Sequence, residues 1–256
     1  MAPVQTDSPL AIDRAYGDPR LAALYDSMNP WGPGDDFYLE LISSARSVLD
    51  LGCGTGQLLR RAAAGGHDGV LVGVDVAEAM LAEAGRESTR VDWRRGDART
   101  VDVGRRFELV IMTGHAFQVL LSDEDVRGLL ANVRRHLYPG GRFSFETRNP
   151  ARRAWEGWTP ERTRARVDAL GESVEVEYCS ARTIEPDLVE FRATYRFAVS
   201  SGPVVSTSTL RFIDPKKLRT MLEDGGFRVD GWFGDWDRTP VAASSPEVIV
   251  VATRPH

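Results

Sequence analysis

The chain has 256 residues, 42% of them hydrophobic and 27% charged, the make-up of a water-soluble globular protein long enough to bury a substantial core. A formal net charge of -5 argues against a broad electrostatic grip on nucleic acid or anionic lipid, and arginine pairs such as Arg60-Arg61 and Arg134-Arg135 are spaced as solvated helix faces. Cys53 and Cys179 alone cannot build a disulfide framework or a cysteine zinc site, no run reaches the roughly 20 apolar residues of a membrane span, and no basic-then-apolar leader opens the chain, so a cytoplasmic location is expected.

Residues 1–18 read as a flexible terminus. From Pro19 to Ser44, Leu21, Leu24, Tyr25 and Met28, then Phe37, Leu39, Leu41 and Ile42, recur at helical intervals, and NPWGPGDD splits the stretch into two helices. Residues 1–46 are thus expected to form an N-terminal helical cap. From Ser47 short apolar runs alternate with amphipathic ones, the pattern of βαβ units. Strands are expected at 47–51, 70–75, 91–93, 107–113 and 141–147, with helices over QLLRRAAA, AEAMLAEAGR and EDVRGLLANVRRHL. Residues 47–147 therefore form an α/β core around five parallel strands.

After Pro150 the alternation stops. VEVEYCS, LVEFRATYRFAV and VVSTSTLRF have period two, and in the second run Val189, Phe191, Ala193, Tyr195, Phe197 and Val199 point one way while Glu190, Arg192, Thr194 and Arg196 point the other. Residues 148–213 are expected to form a small antiparallel β insertion with one wet face. A helix at PKKLRTMLEDGG and strands at FRVDGWFG and EVIVVATR, residues 214–256, complete the core.

VLDLGCGTGQ at 48–57 ends a strand at Leu51 and opens a helix near Gln57, so the loop between aims backbone N–H groups at a ligand, and its glycines let that ligand approach. A tight strand-to-helix turn without a ligand is the plain alternative. The dinucleotide fingerprint G-x-G-x-x-G fails, because its third glycine falls on Gln57 or, counted from Gly54, on Leu59.

What remains is D-x-G-x-G-x-G at Asp50, Gly52, Gly54 and Gly56, which resembles the first motif of class I S-adenosylmethionine-dependent methyltransferases. Asp75 closing VGVD, Met80 one helical turn later, GDA at 96–98, MTGHAF at 112–117 and LYPGGRF at 137–143 extend the resemblance in order. It implies a Rossmann-like seven-stranded sheet with helices on both faces and a reversed last strand, S-adenosyl-L-methionine as cofactor, and a substrate lid in the β insertion. It further implies that Asp50, Gly52, Cys53 and Gly54 surround the amino-acid tail and that Asp75, with Val76 beside it, accepts hydrogen bonds from the ribose hydroxyls. Met80 is then expected to pack on the adenine, Asp97 and Ala98 to line its polar edge, and Thr113 to open the loop at the methionine end. A sulfonium favours carbonyl oxygens and aromatic faces, which makes Tyr25, Trp31, Phe37 and Tyr38 of the cap candidates to close over it, Tyr25 and Trp31 foremost, against a plain core-packing role.

Methyl transfer is an in-line displacement, so alignment and exclusion of water supply much of the catalysis. An unprotonated amine needs no strong base, whereas a hydroxyl does. His115, immediately after the fourth strand, is the candidate general base; a positioning or structural histidine is the alternative. His67, His136 and His256 lie elsewhere, metal-ligand spacing is absent, and Asp35-Asp36 and Asp235 with Asp237 read as turn acids. The fourth strand lacks the Asn/Asp-Pro-Pro-Tyr/Phe of enzymes acting on planar amino nitrogens, and no Pro-Cys nucleophile occurs, which disfavours nucleobases. Trp155 and Trp158 among arginines could stack on single strands, but the acidic chain favours a helical lead-in to the lid. The expected activity is methyl transfer to nitrogen or oxygen of a small molecule, and a homo-oligomer is compatible with the sequence. An NAD-dependent oxidoreductase and a catalytically silent cofactor-binding partner are the alternatives.

Overall fold

A computed structural model of the chain describes residues 12–169, 171–199 and 202–256. The terminus expected to be flexible over 1–18 lies outside these residues up to position 11. Beyond it the expectation fails: α1 (Arg14–Gly17) is a helical turn whose Ala15 amide donates to Ser206 Oγ at 2.9 Å, a tertiary tie with no local signal. The two expected helices follow as α2 (Pro19–Met28) and α3 (Pro33–Ser43), each with proline in its first turn. Asp18 caps α2 by accepting from the Arg20 amide at 3.0 Å, and Asp35 accepts from the Gly32 amide at 2.8 Å at the start of α3.

The core runs β1 (Ser47–Leu51), α4 (Gln57–Ala64), β2 (Val70–Asp75), α5 (Glu78–Glu87), β3 (Asp92–Arg95), β4 (Phe107–Met112), α6 (Asp123–His136) and β5 (Leu137–Arg148). Next come α7 (Pro160–Thr163) and the strands β6 (Ala165–Ala169), β7 (Glu172–Glu185), β8 (Leu188–Phe197) and β9 (Val204–Arg211). The chain then returns through α8 (Pro215–Asp224), β10 (Arg228–Phe233) and β11 (Glu247–Thr253).

One sheet has the order β10-β11-β5-β4-β1-β2-β3, with β11 antiparallel to both neighbours and the other pairings parallel. On one face Phe143, Phe145 and Val110 pack with Leu129 and Val133 of α6 and Leu218 and Leu222 of α8; on the other, Val48, Leu109 and Ile111 pack with Ile42 of α3 and Leu59 of α4. Strand order reverses between β1 and β4, and in open α/β sheets ligands bind outside the carboxyl ends of the strands at that switch. The glycine loop leaves β1 and the Thr113–His115 loop leaves β4 at this point.

The second sheet, β6-β7-β8-β9, is antiparallel and has one strand more than its sequence suggests. β6 is short and charged, and it is held by pairing Val167 with Val174 of β7. Val199, expected on the inner row of β8, lies past the strand end and is 83% exposed. Thr194, expected on the wet row, is buried opposite Glu177, whose ion pairs with Arg164 and Arg196 cover that face. α2 joins the two sheets: Leu21 and Leu24 pack under Val174, Val176, Tyr195 and Phe197, while Ala22 packs on Ala77 and Met80 of the α5 region. Buried Arg211 of β9 adds ion pairs to Asp187 and to Asp123 of α6. No helix among the described residues is long and apolar enough to cross a membrane.

Gly73 in β2 has no room for a side chain, because a Cβ there would sit 2.4 Å from the Trp93 ring and 2.9 Å from Cys53 Sγ. Gly73→Ala is expected to destabilise the protein by about 1–3 kcal/mol of overpacking strain. Thermal denaturation should show a melting temperature lower by roughly 2–4 °C for each kcal/mol; an unchanged value would contradict this packing.

Candidate active site

The three glycines after β1 are needed for backbone shape. Gly52, Gly54 and Gly56 have φ of +75°, +55° and +71°, a region that side chains resist. A Cβ on Gly56 would also lie 2.1 Å from the Trp93 ring. The amides of Gly52 and Cys53 donate to the Val74 carbonyl at 2.7 and 3.0 Å, and that of Gly54 donates to Asp75 Oδ2 at 2.9 Å. Asp75 Oδ1 accepts from the Ala77 amide at 2.8 Å, so one carboxylate fixes the loop after β1 to the turn after β2. Cys53 faces inward beneath the loop, where burial pushes its thiol far above the usual range, which makes it a packing group.

Asp50 stands on β1 two residues before the loop, 1% exposed, and its Oδ1 has no hydrogen-bond partner among the described residues. Burial, and then the charges of Asp75 and Glu146, push its carboxyl up to about 8. An orphaned acceptor oxygen beside a cradle without Cβ atoms fits the ammonium of an amino-acid tail. The loop is also gripped from α2, where Asp26 accepts from Thr55 Oγ1 and pairs with Arg60 of α4. Asp26 was not singled out in the sequence, because a polar residue on an amphipathic helix carries no local sign of its partner.

Met80, 1% exposed, packs against Ala22, Ala77, Tyr16 and Tyr25, and Val76 lies half-buried next to Asp75. The loop after β3 is tied to the end of β2 by the Gly96 amide, which donates to the Asp75 carbonyl at 2.9 Å. In that loop Asp97 pairs with Arg99 at 2.6 Å, and the buried Ala98 offers its carbonyl to Asn132 Nδ2 at 2.9 Å. The structure thus brings Asp50, the glycine loop, Asp75, Val76, Met80, Asp97 and Ala98 to one end of the sheet.

The two cap aromatics separate. The Tyr25 ring lies 4.0 Å from a Cβ position built on Gly54, and its hydroxyl lies 3.6 Å from one built on Gly114, so it spans the loops after β1 and β4. Burial pushes its phenol up to about 12. Trp31 instead donates Nε1 to Asp36 at 2.7 Å and lies under the Arg61 guanidinium, 5.4 Å from its ring centroid, so these contacts turn it to α3 and α4. Tyr16 of α1 takes a place beside Tyr25, with centroids 6.2 Å apart. Its position in the stretch read as a flexible terminus hid it.

Thr113 opens the loop after β4, and Gly114 and His115 follow with φ of +65° and +60°. For a histidine this conformation is uncommon. It is held by the His115 amide, which donates to Glu146 Oε1 at 2.7 Å, while Glu146 Oε2 accepts from the Tyr38 hydroxyl. Glu146 is 2% exposed, and burial raises its pKa. His115 Nε2 lies 3.0 Å from both carboxylate oxygens of Glu247, which fixes the tautomer with Nε2 protonated and leaves the Nδ1 lone pair as the basic position. Glu146 and Glu247 reach His115 by non-local strand pairing, which no sequence spacing encodes. His67 and His136 bond backbone groups elsewhere.

The aromatic residues of the insertion divide between two tasks. Tyr195 and Phe197 pack on α2, whereas Phe191 packs on Trp158 and Tyr178 at centroid distances of 4.8 and 5.5 Å. Trp155 sits 4.4 Å from Phe212. The lead-in expected to be helical is two 3-10 turns, Pro150–Arg152 and Ala154–Gly157, followed by the single turn of α7.

Residues 48–141 match the family model of a methyltransferase domain. The chain is 29% identical over 216 residues to the cypemycin N-terminal methyltransferase of a Streptomyces species, covering 82% of this chain and 83% of that protein. It shares its fold with an S-adenosylmethionine-dependent methyltransferase from Clostridium acetobutylicum at a TM-score of 0.75, with 17% identity and coverage of 93% of this chain and 98% of that one. It likewise shares the fold of a sugar N-methyltransferase from Streptoalloteichus at a TM-score of 0.72, with 19% identity and coverage of 100% and 98%. Nothing in these likenesses supports an NAD-dependent oxidoreductase. Residues 48–141 are thus a methyltransferase domain, set in a chain that has the fold of S-adenosylmethionine-dependent methyltransferases.

Proposed function

We propose that the enzyme methylates an amine nitrogen of a small molecule held between the core and the second sheet. S-adenosylmethionine supplies the electrophilic methyl group. The observation that carries the nitrogen assignment is the acid-histidine set where β4, β5 and β11 meet: buried Glu146 and half-buried Glu247 attract an ammonium, and half-buried His115, fixed through Nε2 by Glu247, offers Nδ1 to take its proton. The Streptoalloteichus protein, a sugar N-methyltransferase, and the Streptomyces protein, an N-terminal methyltransferase, support the same choice.

The remaining roles follow from chemistry and position. Asp50 holds the cofactor's ammonium, with the backbone of Gly52, Cys53 and Gly54 around the tail. Asp75 accepts from the ribose hydroxyls, Met80 and Val76 pack on the adenine, Asp97 and Ala98 line its polar edge, and Thr113 lies at the methionine end. Tyr25 covers the sulfonium; Trp31 is assigned to packing. The helices of residues 1–46 act as a cap and residues 148–213 as a lid, and together they exclude water from the reacting atoms. Two unpaired cysteines, Cys53 and Cys179, support a reducing cytoplasm as the site of action.

Three measurements test this reading. Incubation with the methyl donor and matched panels of amines and alcohols, read by release of S-adenosylhomocysteine, should give turnover on amines; turnover confined to alcohols would overturn the assignment. His115→Ala should lower kcat about 100-fold, the usual worth of a positioned base, with calorimetric affinity for S-adenosylhomocysteine unchanged. Turnover equal to wild type would remove His115 from the mechanism.

The third measurement concerns Asp50. In the free protein its carboxyl, raised to about 8, is protonated at neutral pH, whereas a bound ammonium favours the ionised form. Affinity for S-adenosylhomocysteine should therefore rise as pH increases from about 6 to 8, with proton release at pH 7 seen by calorimetry in buffers of different ionisation enthalpy. The same shift, upward from 3.8, means that the free protein loses stability as pH climbs towards 8. Asp50→Asn should abolish the proton release.

A further inference from the structure

Arg148 ends β5 on the face that carries Glu146. Its Nη1 donates to Gln118 Oε1 at 2.7 Å, and its guanidinium lies 5.5 Å from the Trp158 ring centroid. Gln118 is fully buried and donates to the Arg211 carbonyl at 3.0 Å, so the partner that orients Arg148 is itself fixed. Tyr16 of α1 and Tyr178 of β7 stand within electrostatic reach, so Arg148 faces the space where cap, core and insertion meet.

Glu247 and Glu146 act on this cation from a distance, but no carboxylate of the described residues pairs with it directly. Arg148 makes no ion pair among the described residues. Glu247, its register partner on β11, has both carboxylate oxygens directed to His115. Burial lowers the pKa of Arg148, the expected response of a guanidinium withdrawn from water. A buried charge is costly unless it is paired, and a guanidinium carries five donors arranged to grip a planar oxyanion through two of them.

We infer that the acceptor is an amine that also carries a carboxylate, with the carboxylate seated on Arg148 and the amine directed to His115. The inference rests on the amine reading above. Glu247 stands opposite Arg148 in the β5–β11 register and bonds His115 Nε2 at 3.0 Å, so one carboxylate side chain links the two residues. A monoanion is favoured over a phosphate because Glu146 and Glu247 already place negative charge beside a single cation. The neighbouring Trp158, Tyr178 and Phe191 suit an apolar or aromatic body on the same molecule.

The test uses the full chain saturated with S-adenosylhomocysteine and matched probes: L-phenylalanine against phenethylamine, L-leucine against 3-methylbutylamine, and benzoate against phenyl phosphate. Calorimetry should show each amino acid binding about tenfold or more tightly than its decarboxylated partner, a difference of about 1.4 kcal/mol. Benzoate should bind better than phenyl phosphate. Arg148→Gln should erase the preference and Arg148→Lys, which keeps charge but loses the fork, should reduce it, both with wild-type affinity for S-adenosylhomocysteine. Decarboxylated amines binding as well as the amino acids, no binding of any carboxylate probe, tighter binding of phenyl phosphate, or an undiminished preference in Arg148→Gln would each overturn the inference. The wild-type comparison stands even where a variant fails to fold. Failure of the wild type to bind S-adenosylhomocysteine would instead defeat the assigned cofactor site.

Discussion

Three carboxyl groups, those of Asp50, Asp75 and Glu146, are withdrawn from water at the carboxyl ends of β1, β2 and β5, and the placement of the surrounding groups answers to them. Asp75 is satisfied by backbone amides and Glu146 by the His115 amide and the Tyr38 hydroxyl, whereas Asp50 keeps an oxygen without a partner. Close acids that cannot all ionise in a low-dielectric setting favour cationic ligands. A methyl donor bearing an ammonium and a sulfonium, and the proposed amine acceptor, bring the charge that this end of the sheet lacks. The glycine loop contributes amides and room, while the acids contribute selectivity of sign.

α2 conveys that chemistry to the rest of the molecule. Its Leu21 and Leu24 are part of the core of the second sheet, Ala22 packs on Met80, Tyr25 spans two loops of the site, and Asp26 grips Thr55 and Arg60. Contacts on different sides of one short helix, made within the six residues from Leu21 to Asp26, leave little freedom to shift one surface without the others.

Much of the fold could be read before any coordinates because its signals are local. Ser47–Leu51, Gln57–Ala64 and Val70–Asp75 are bounded by composition changes and glycine punctuation, and the structure places these elements at the expected residues. α1 is held by a partner distant in sequence, Ser206, and β6 by its neighbour β7, and their own residues show too few periods to register. The same limit hid the neighbourhood of His115: Glu247 arrives from the last strand and Tyr38 from α3. Trp31 shows the converse case, since an aromatic ring in a cap has no periodicity to say which way it turns, and here Asp36 and Arg61 engage it.

The sharing of α2 also bears on how often one acceptor is modified before it leaves. On the proposed roles, exchange of spent for fresh donor requires Tyr25 to lift, and the Leu21–Leu24 ridge beneath the second sheet moves with it. Each renewal of the donor therefore loosens the roof above the product. A nitrogen that receives two methyl groups would do so in separate encounters, through a distributive course in which the monomethylated species accumulates in solution.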